Sequence, residues 1–443
     1  MAISAGLAML HSFAFKNFLS FRERTEVSFA LTQKASSHGW DVPSPTGQRL
    51  ATALAVIGAN GAGKTSLIKP VAFLSWFIKH SFLQSTPGAQ IPIKPHFSTT
   101  NEPVEFEVEA DDLDGTLWRY VLKATPERVL HEAVYKRLNK KRAKFSHVFE
   151  RDWDVAAKEY VIAQNGFDLN PAEAKKVRPN ASLISTAAQY GVEVAQHLVG
   201  ANVASNILQI GRVDPHLGFI NASIFFHENV ALKKQMETLL HTLDLGLSGV
   251  EIRKLDMTVP PDMKLPDGTK LPSQYQVLGV HTLKDGSRHE LQMMEESSGT
   301  RTAFTQLWYL LSVLAGGGIA VIDELESDMH PHMIEPLLDL FASPHTNPHN
   351  AQIIFTSHSI EVMGLLGKSQ VVLVEKKDCE SEAWRLDAMT GVRSQDNLYA
   401  KYMSGAYGAV PQLRRHRRPG RAQSRKPCSS SAKAMPKSRS SAL

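Results

Sequence analysis

The residues of this chain best placed to do chemistry are a lysine and a threonine behind a run of glycines. Gly58-Ala59-Asn60-Gly61-Ala62-Gly63-Lys64-Thr65 fits the pattern G-x-x-x-x-G-K-[ST] and directly follows the apolar run 53–57. A loop that wraps a polyphosphate must turn its N–H groups inward, and glycines allow this because they tolerate positive φ and close backbone approach. The helix expected over 66–80 then aims its positive end at the same phosphates. Gly58, Asn60, Gly61, Gly63, Lys64, Thr65 and Ser66 are accordingly the expected nucleotide contacts. Lys64 is expected to bridge the outer phosphates of ATP, and the Thr65 hydroxyl to ligate Mg²⁺.

Three further clusters fit the same chemistry. Ile319-Ala320-Val321-Ile322-Asp323-Glu324 is an apolar strand ending in two carboxylates. Behind a phosphate loop, Asp323 is expected to hold the Mg²⁺ hydration shell and Glu324 to polarise the water that attacks the γ-phosphate. Ile353-Ile354-Phe355-Thr356-Ser357-His358 ends a second apolar strand in a histidine. Such a histidine serves structure as readily as chemistry, and its place after Glu324 favours contact with the γ-phosphate or the attacking water. Glu296-Ser297-Ser298-Gly299-Thr300-Arg301 precedes the helical run 303–314. A Ser-x-Gly turn at a helix start offers a hydroxyl, free N–H groups and the helix dipole to an anion; it is also an ordinary N-cap, and both uses stay open.

Residues so far apart can meet only if strands deliver their ends to one side of a sheet. The expected fold is therefore α/β, a P-loop NTPase core built on apolar strands near 53–57, 319–322, 352–355 and 371–374 with intervening helices. Alternation over 10–29 around Ser20-Phe21, and of 104–109 against 118–122 across Asp112-Leu113-Asp114-Gly115, predicts a flanking antiparallel sheet. The middle, 126–280, mixes short helical patterns with loops, 228–243 being the clearest amphipathic segment, and is expected to be a mostly helical insertion. It would divide the core into an N-terminal part, 1–125, with the phosphate loop, and a C-terminal part, 281–411, with the turn, the acids and the histidine. No heptad pattern persists, so a long coiled-coil arm is not expected. Residues 412–443 are rich in Arg, Ser and Pro and are expected to be a disordered basic tail.

Composition narrows the setting. The net charge of +5 misleads, because ten of the 49 Lys and Arg lie between Arg414 and Arg439, leaving 39 basic against 44 acidic residues elsewhere. A broadly basic, DNA-binding body is not supported. Two cysteines, Cys379 and Cys428, cannot build a disulfide framework or a four-cysteine zinc site, which points to the cytoplasm. The apolar run 307–322 is interrupted by Gly316-Gly317-Gly318 and is too short for a bilayer, so no membrane association is expected. The apolar opening 1–10 lacks a basic start and a convincing cleavage site, so no secretion signal is read there.

The order phosphate loop, Ser-x-Gly helix start, Asp-Glu strand end and Thr-Ser-His strand end resembles the ABC-class ATPase heads of the SMC and RecF families. The finer resemblance is to prokaryotic AAA-type ATPases grouped with abortive-infection proteins of the AbiL and RloA kind. It is carried by Phe15-Lys16-Asn17-Phe18-Leu19-Ser20-Phe21, the phosphate loop, Glu296 to Arg301, Asp323-Glu324-Leu325-Glu326-Ser327-Asp328-Met329-His330-Pro331, and the late Tyr402-Met403-Ser404-Gly405-Ala406-Tyr407-Gly408-Ala409-Val410-Pro411. The resemblance implies an ABC-type core that dimerises on ATP, Ser297 and Gly299 of one subunit closing over the nucleotide of another. Glu296 and Thr300 depart from the usual Leu-Ser-Gly-Gly-Gln signature. It also implies a glutamine that senses metal and nucleotide, for which Gln189 is the candidate, and a dimer-contact loop at Asp328-Met329-His330-Pro331-His332 in preference to a zinc site. Such proteins are often paired with a separately encoded nuclease-like effector in phage defence. Two other readings stay open: a RecF-like repair ATPase acting directly on DNA, and a regulatory ATP-binding scaffold with little turnover. An attached nuclease domain fares badly, because no carboxylate follows Pro411 to hold a catalytic metal.

Overall fold

Two large sheets carry the chain. The computed structural model describes residues 7–32, 35, 39–140, 142–208, 211–255, 273–393 and 395–411. One sheet has six strands in the order Val203–Ser205, Ile319–Ile322, Gln352–Ser357, Ala53–Gly58, Val371–Lys377 and Glu380–Arg385. The first five are parallel and the last returns antiparallel. Alternate residues of each central strand enter different cores. Leu54, Val56, Val321 and Ile354 face one, while Ala53, Ala55, Ile57, Ala320, Ile322, Ile353 and Phe355 face the other. Burial on both faces is why these strands read as unbroken apolar runs in the sequence. Because they are parallel, Gly58, Asp323 and His358 leave the sheet on the same edge.

The second sheet is antiparallel, in the order Glu159–Gln164, Ser146–Asp154, Val129–Arg137, Leu117–Ala124, Val104–Asp111, Met9–Lys16 and Thr25–Ser28. Both expected hairpins form, with Phe13 opposite Val27 and Val108 opposite Tyr120. Its inner face covers the helix Lys64–Gln84 through Phe106, whose ring centroid lies 5.1 Å from that of Phe73. The side chain of Gln352 ties the two sheets together. Its amide donates to Leu10 O and Ala51 O at 3.0 Å, and its Oε1 accepts from Leu10 N at 2.6 Å.

The stretch 126–280 departs from the expected mostly helical insertion. Three of its strands extend the antiparallel sheet, Val203–Ser205 edges the parallel one, and Gly249–Leu255 and Gln274–Thr282 join Arg288–Gln292 in a third sheet. Polar residues on the half-exposed faces, as in Glu159–Gln164, dilute the alternation that would have announced these strands. The helices Pro215–Glu228 and Val230–Thr242 are what remains of the helical expectation around the amphipathic segment. The boundaries at 125 and 280 therefore separate no bodies, and Met1–Val410 is one compact unit. The tail 412–443, with Cys428, lies outside the described residues.

Candidate nucleotide-binding site

The phosphate loop is held by contacts that only glycine permits. A Cβ on Gly58 would fall 2.2 Å from Val374 O, and one on Gly63 would fall 2.6 Å from Ser381 Oγ and 2.9 Å from Ser20 Oγ. Gly61 and Gly63 have φ of 74° and 113°, in the left-handed region. Ser381 Oγ donates to Ala62 O at 2.6 Å and lies 2.8 Å from Ser20 Oγ, so the last hairpin and the first turn of the chain brace the loop from outside. The crown at Asn60 and Gly61 is exposed. The helix behind it starts at Gly63 with no side-chain cap and no acid in its first turn, leaving its first N–H groups for an anion.

Lys64 and Thr65, the first residues of that helix, point into the pocket floor. Lys64 Nζ donates to Gly58 O at 2.9 Å and Ala59 O at 3.3 Å, and lies 3.4 Å from His358 Nδ1. Burial lowers the Lys64 ammonium below the ordinary lysine value, against the pull of Asp323, Glu324 and Glu326. Thr65 Oγ1 donates to Asp323, 2.9 and 3.1 Å from its two carboxylate oxygens. Asp323 is buried and accepts a further bond from Thr356 Oγ1 at 2.8 Å. The N–H of Glu324 donates to the same Thr356 Oγ1 at 2.7 Å, fixing the turn in which Glu324 takes a positive φ of 51°. Glu324 Oε1 stands 3.5 Å from His358 Nε2, and Glu326 Oε1 accepts from the N–H of His358. A hydroxyl and a carboxylate in contact are the hard oxygen donors that Mg²⁺ takes beside water and phosphate, so Thr65 and Asp323 fit that ion.

The structure thus brings together Lys64, Thr65, Asp323, Glu324 and His358 from three strand ends. Ser297 and Gly299 lie apart from this network. Ser297 Oγ accepts from Thr300 N at 3.1 Å, capping the helix Ser298–Leu314, and both Ser297 and Ser298 are exposed. A Cβ on Gly299 would meet Asp328 O at 2.7 Å, so this turn rests on the loop that trails the acid strand. Pro331 opens a short 3₁₀ turn leading into Ile334–Asp339, and His330 caps it by accepting from His332 N. Among the described residues no group of three or more His, Cys, Asp or Glu is gathered as a metal would need.

Gln189 does not reach the site. Ser182 caps a helix, Leu183–Gln189, of which Gln189 is the last residue. Ser185 Oγ in that helix accepts from Phe82 N, 18 residues along the loop helix from Lys64 and so about 27 Å away at ~1.5 Å per residue. Gln189 is exposed one turn further on.

The position next to the acids belongs instead to Asn206 and Arg212, for which the sequence gives no signal. Asn206 follows the edge strand Val203–Ser205 and brackets the backbone of Asp323, accepting from its N–H at 2.7 Å and donating to its carbonyl at 2.9 Å. Arg212 Nε lies 3.1 Å from Asp323 Oδ2, and Nη2 lies 2.6 Å from Asp323 O and 3.0 Å from Glu324 Oε2.

A parallel sheet carrying a phosphate loop, two acids and a histidine along one edge defines a P-loop ATPase of the AAA/ABC class. The chain belongs to the family described as "AAA domain, putative AbiEii toxin, Type IV TA system", whose model matches residues 54–364. This agrees with the resemblance to abortive-infection ATPases read from the motifs. Among solved structures, the chain is similar to an SMC head bound to the C-winged helix domain of ScpA, at 12% identity over 85% of this chain and 96% of that one, with a TM-score of 0.43. It is also similar to the SMC head domain from Thermotoga maritima, at 12% identity over 85% and 98% with a TM-score of 0.38. A third likeness is to the recombination mediator RecF bound to ATP, at 11% identity over 86% and 99% with a TM-score of 0.38. Comparison with curated proteins finds no match. No helix among the described residues is long and apolar enough to cross a membrane.

Proposed function

We propose that the chain is a cytoplasmic ATP hydrolase that closes into a dimer around Mg²⁺-bound ATP, opens on hydrolysis, and by that cycle gates a separately encoded effector in phage defence. The observation that carries the nucleotide reading is the contact of Thr65 with Asp323, 258 positions later, beside a buried Lys64 that has no ion pair among the described residues. An ammonium without a carboxylate partner, at the open N-terminus of a long helix, has its charge free for phosphate oxygens. In this reading Gly58, Asn60, Gly61, Gly63 and Ser66 line the phosphates and Lys64 neutralises them. Thr65 and Asp323 hold Mg²⁺, which supplies charge neutralisation on the phosphate oxygens. Glu324 takes the proton of the attacking water, and His358, between Lys64 and Glu324, orients the groups around it.

Dimer closure is supported by the exposed Ser297 and Ser298, which make no hydrogen bond to Lys64, Thr65, Asp323, Glu324 or His358 among the described residues. The defence setting draws on the words "Type IV TA system" in the family's description, and the separate effector on the resemblance to abortive-infection ATPases. Sedimentation of Glu324→Gln tests the reading: with ATP and Mg²⁺ it should run as a dimer and without them as a monomer, while Lys64→Ala should stay monomeric in both. Identical sedimentation of Glu324→Gln with and without ATP contradicts closure.

A further inference from the structure

We propose that Arg212 is an internal counter-cation that neutralises Asp323 and Glu324 in the nucleotide-free chain and must be displaced before Mg²⁺-bound nucleotide can seat. The inference rests on the ATP and Mg²⁺ reading above. One guanidinium bridges both acids, with Nε 3.1 Å from Asp323 Oδ2 and Nη2 3.0 Å from Glu324 Oε2. It completes the ring of donors around Asp323, whose other contacts are the hydroxyls of Thr65 and Thr356. A divalent cation arriving at Asp323 would meet a fixed positive charge on the same carboxylate, so the two ions compete for one site. Glu324 is engaged by the same contact. While Arg212 holds its Oε2, the positive charge on that oxygen makes Glu324 a weaker acceptor for a water proton.

Beside this arginine there is room for it to move. A cavity of about 560 Å³ adjoins it, with Arg212, Asp328, Arg301 and Gln306 among its walls. Gln306 in its wall is only 5% exposed and its Oε1 has no hydrogen-bond partner among the described residues, and Asp328 lines the same cavity. Arg212 lies two residues before Asp214, which caps the helix Pro215–Glu228. Phe219 and Phe226 of that helix pack on Phe304 of the Ser298–Leu314 helix at 5.4 and 5.3 Å between ring centroids. The arginine is thereby tied to the helix that carries the Ser-Gly turn.

The test is a Mg²⁺ titration of the binding of a fluorescent, non-hydrolysable ATP analogue to the full chain. Arg212→Gln should lower the Mg²⁺ midpoint about ten-fold, the effect expected when a competing close charge is removed. Mg²⁺ alone, without nucleotide, should raise the melting temperature of Arg212→Gln and leave that of the wild type unchanged. Arg212→Lys, which keeps the charge but loses the fork, should shift the midpoint in the same direction by about three-fold and serves if the glutamine variant does not fold. A Mg²⁺ midpoint equal to wild type in the folded variant overturns the proposal. A wild-type chain that binds no analogue at any Mg²⁺ concentration overturns the ATP reading instead.

Discussion

The pocket under the phosphate loop and the turn at Ser297 use the same kinds of residue in opposite ways. In the pocket the acids are answered from within the chain, Asp323 by two hydroxyls and Arg212 and Glu324 by Arg212, while Lys64 rests on two neutral carbonyls. At the turn the Ser297 hydroxyl caps its own helix, and Ser297 and Ser298 remain exposed. A binding surface saturated by its own chain can take a ligand only by exchange. One left open can take a ligand by addition, and the proposed closure asks the second of the turn and the first of the pocket.

Substitutions should separate the two regions. Lys64→Ala acts on the first step, weakening ATP binding about 100-fold as charge-assisted contacts are lost, read by titration calorimetry. Comparable affinity in that variant would break the contrast at its root. Glu324→Gln should slow hydrolysis about 10³-fold while nucleotide affinity is retained, since only proton transfer is removed. Gly299→Ala puts a methyl 2.7 Å from Asp328 O and should displace the turn. It should reduce ATP-driven association about ten-fold in sedimentation and leave binding by the single chain unchanged; equal loss of both would show that turn and pocket are not separable. Ser297→Ala should cost about 1 kcal/mol of stability through the lost cap, measured by denaturant unfolding.

The smallest expected effect lies outside both regions and calibrates them. Burial acts to raise the Asp112 carboxyl, but the His197 ring 3.6 Å away, the donating Trp118 indole and the N–H of Thr116 outweigh it and hold the carboxyl well below the usual aspartate range. A carboxylate depressed in the folded state adds stability that is complete above its unfolded value, about 3.9, and is lost as pH falls toward its folded value. The difference in melting temperature between wild type and Asp112→Asn should be constant above about pH 5 and shrink below pH 4, with ATP affinity unaffected throughout.

The legible half of the site consists of residues whose neighbours in sequence are also their neighbours in function. Lys64 and Thr65 follow their own glycines, and Asp323 and His358 end strands whose burial on both faces shows as uninterrupted apolar runs. Arg212, Asn206, Ser381 and Glu326 act across 111, 117, 319 and 32 positions respectively, and nothing local marks them. Gln189 fails for a related reason. The run Ser182-Leu183-Ile184-Ser185-Thr186 suits strand and helix alike, and the choice is made by Ser182 Oγ accepting from Ile184 N and Ser185 N, with buried Glu132 accepting from Ser182 Oγ and Leu183 N. The strands of 126–164 were obscured because their outer faces stay wet, whereas those of the parallel sheet are dry on both sides.

The strand order has a consequence for how the chain is made. The phosphate-loop strand sits between two partners that emerge far later, Ile353 pairing with Ala53 on one side and Val371 with Ala55 on the other. At 5–20 residues per second, a ribosome needs about 15–60 s to travel those roughly 300 residues. During that interval the nascent loop has neither its acid nor its histidine, so the pocket of a growing polypeptide stays incomplete until position 358 has been translated.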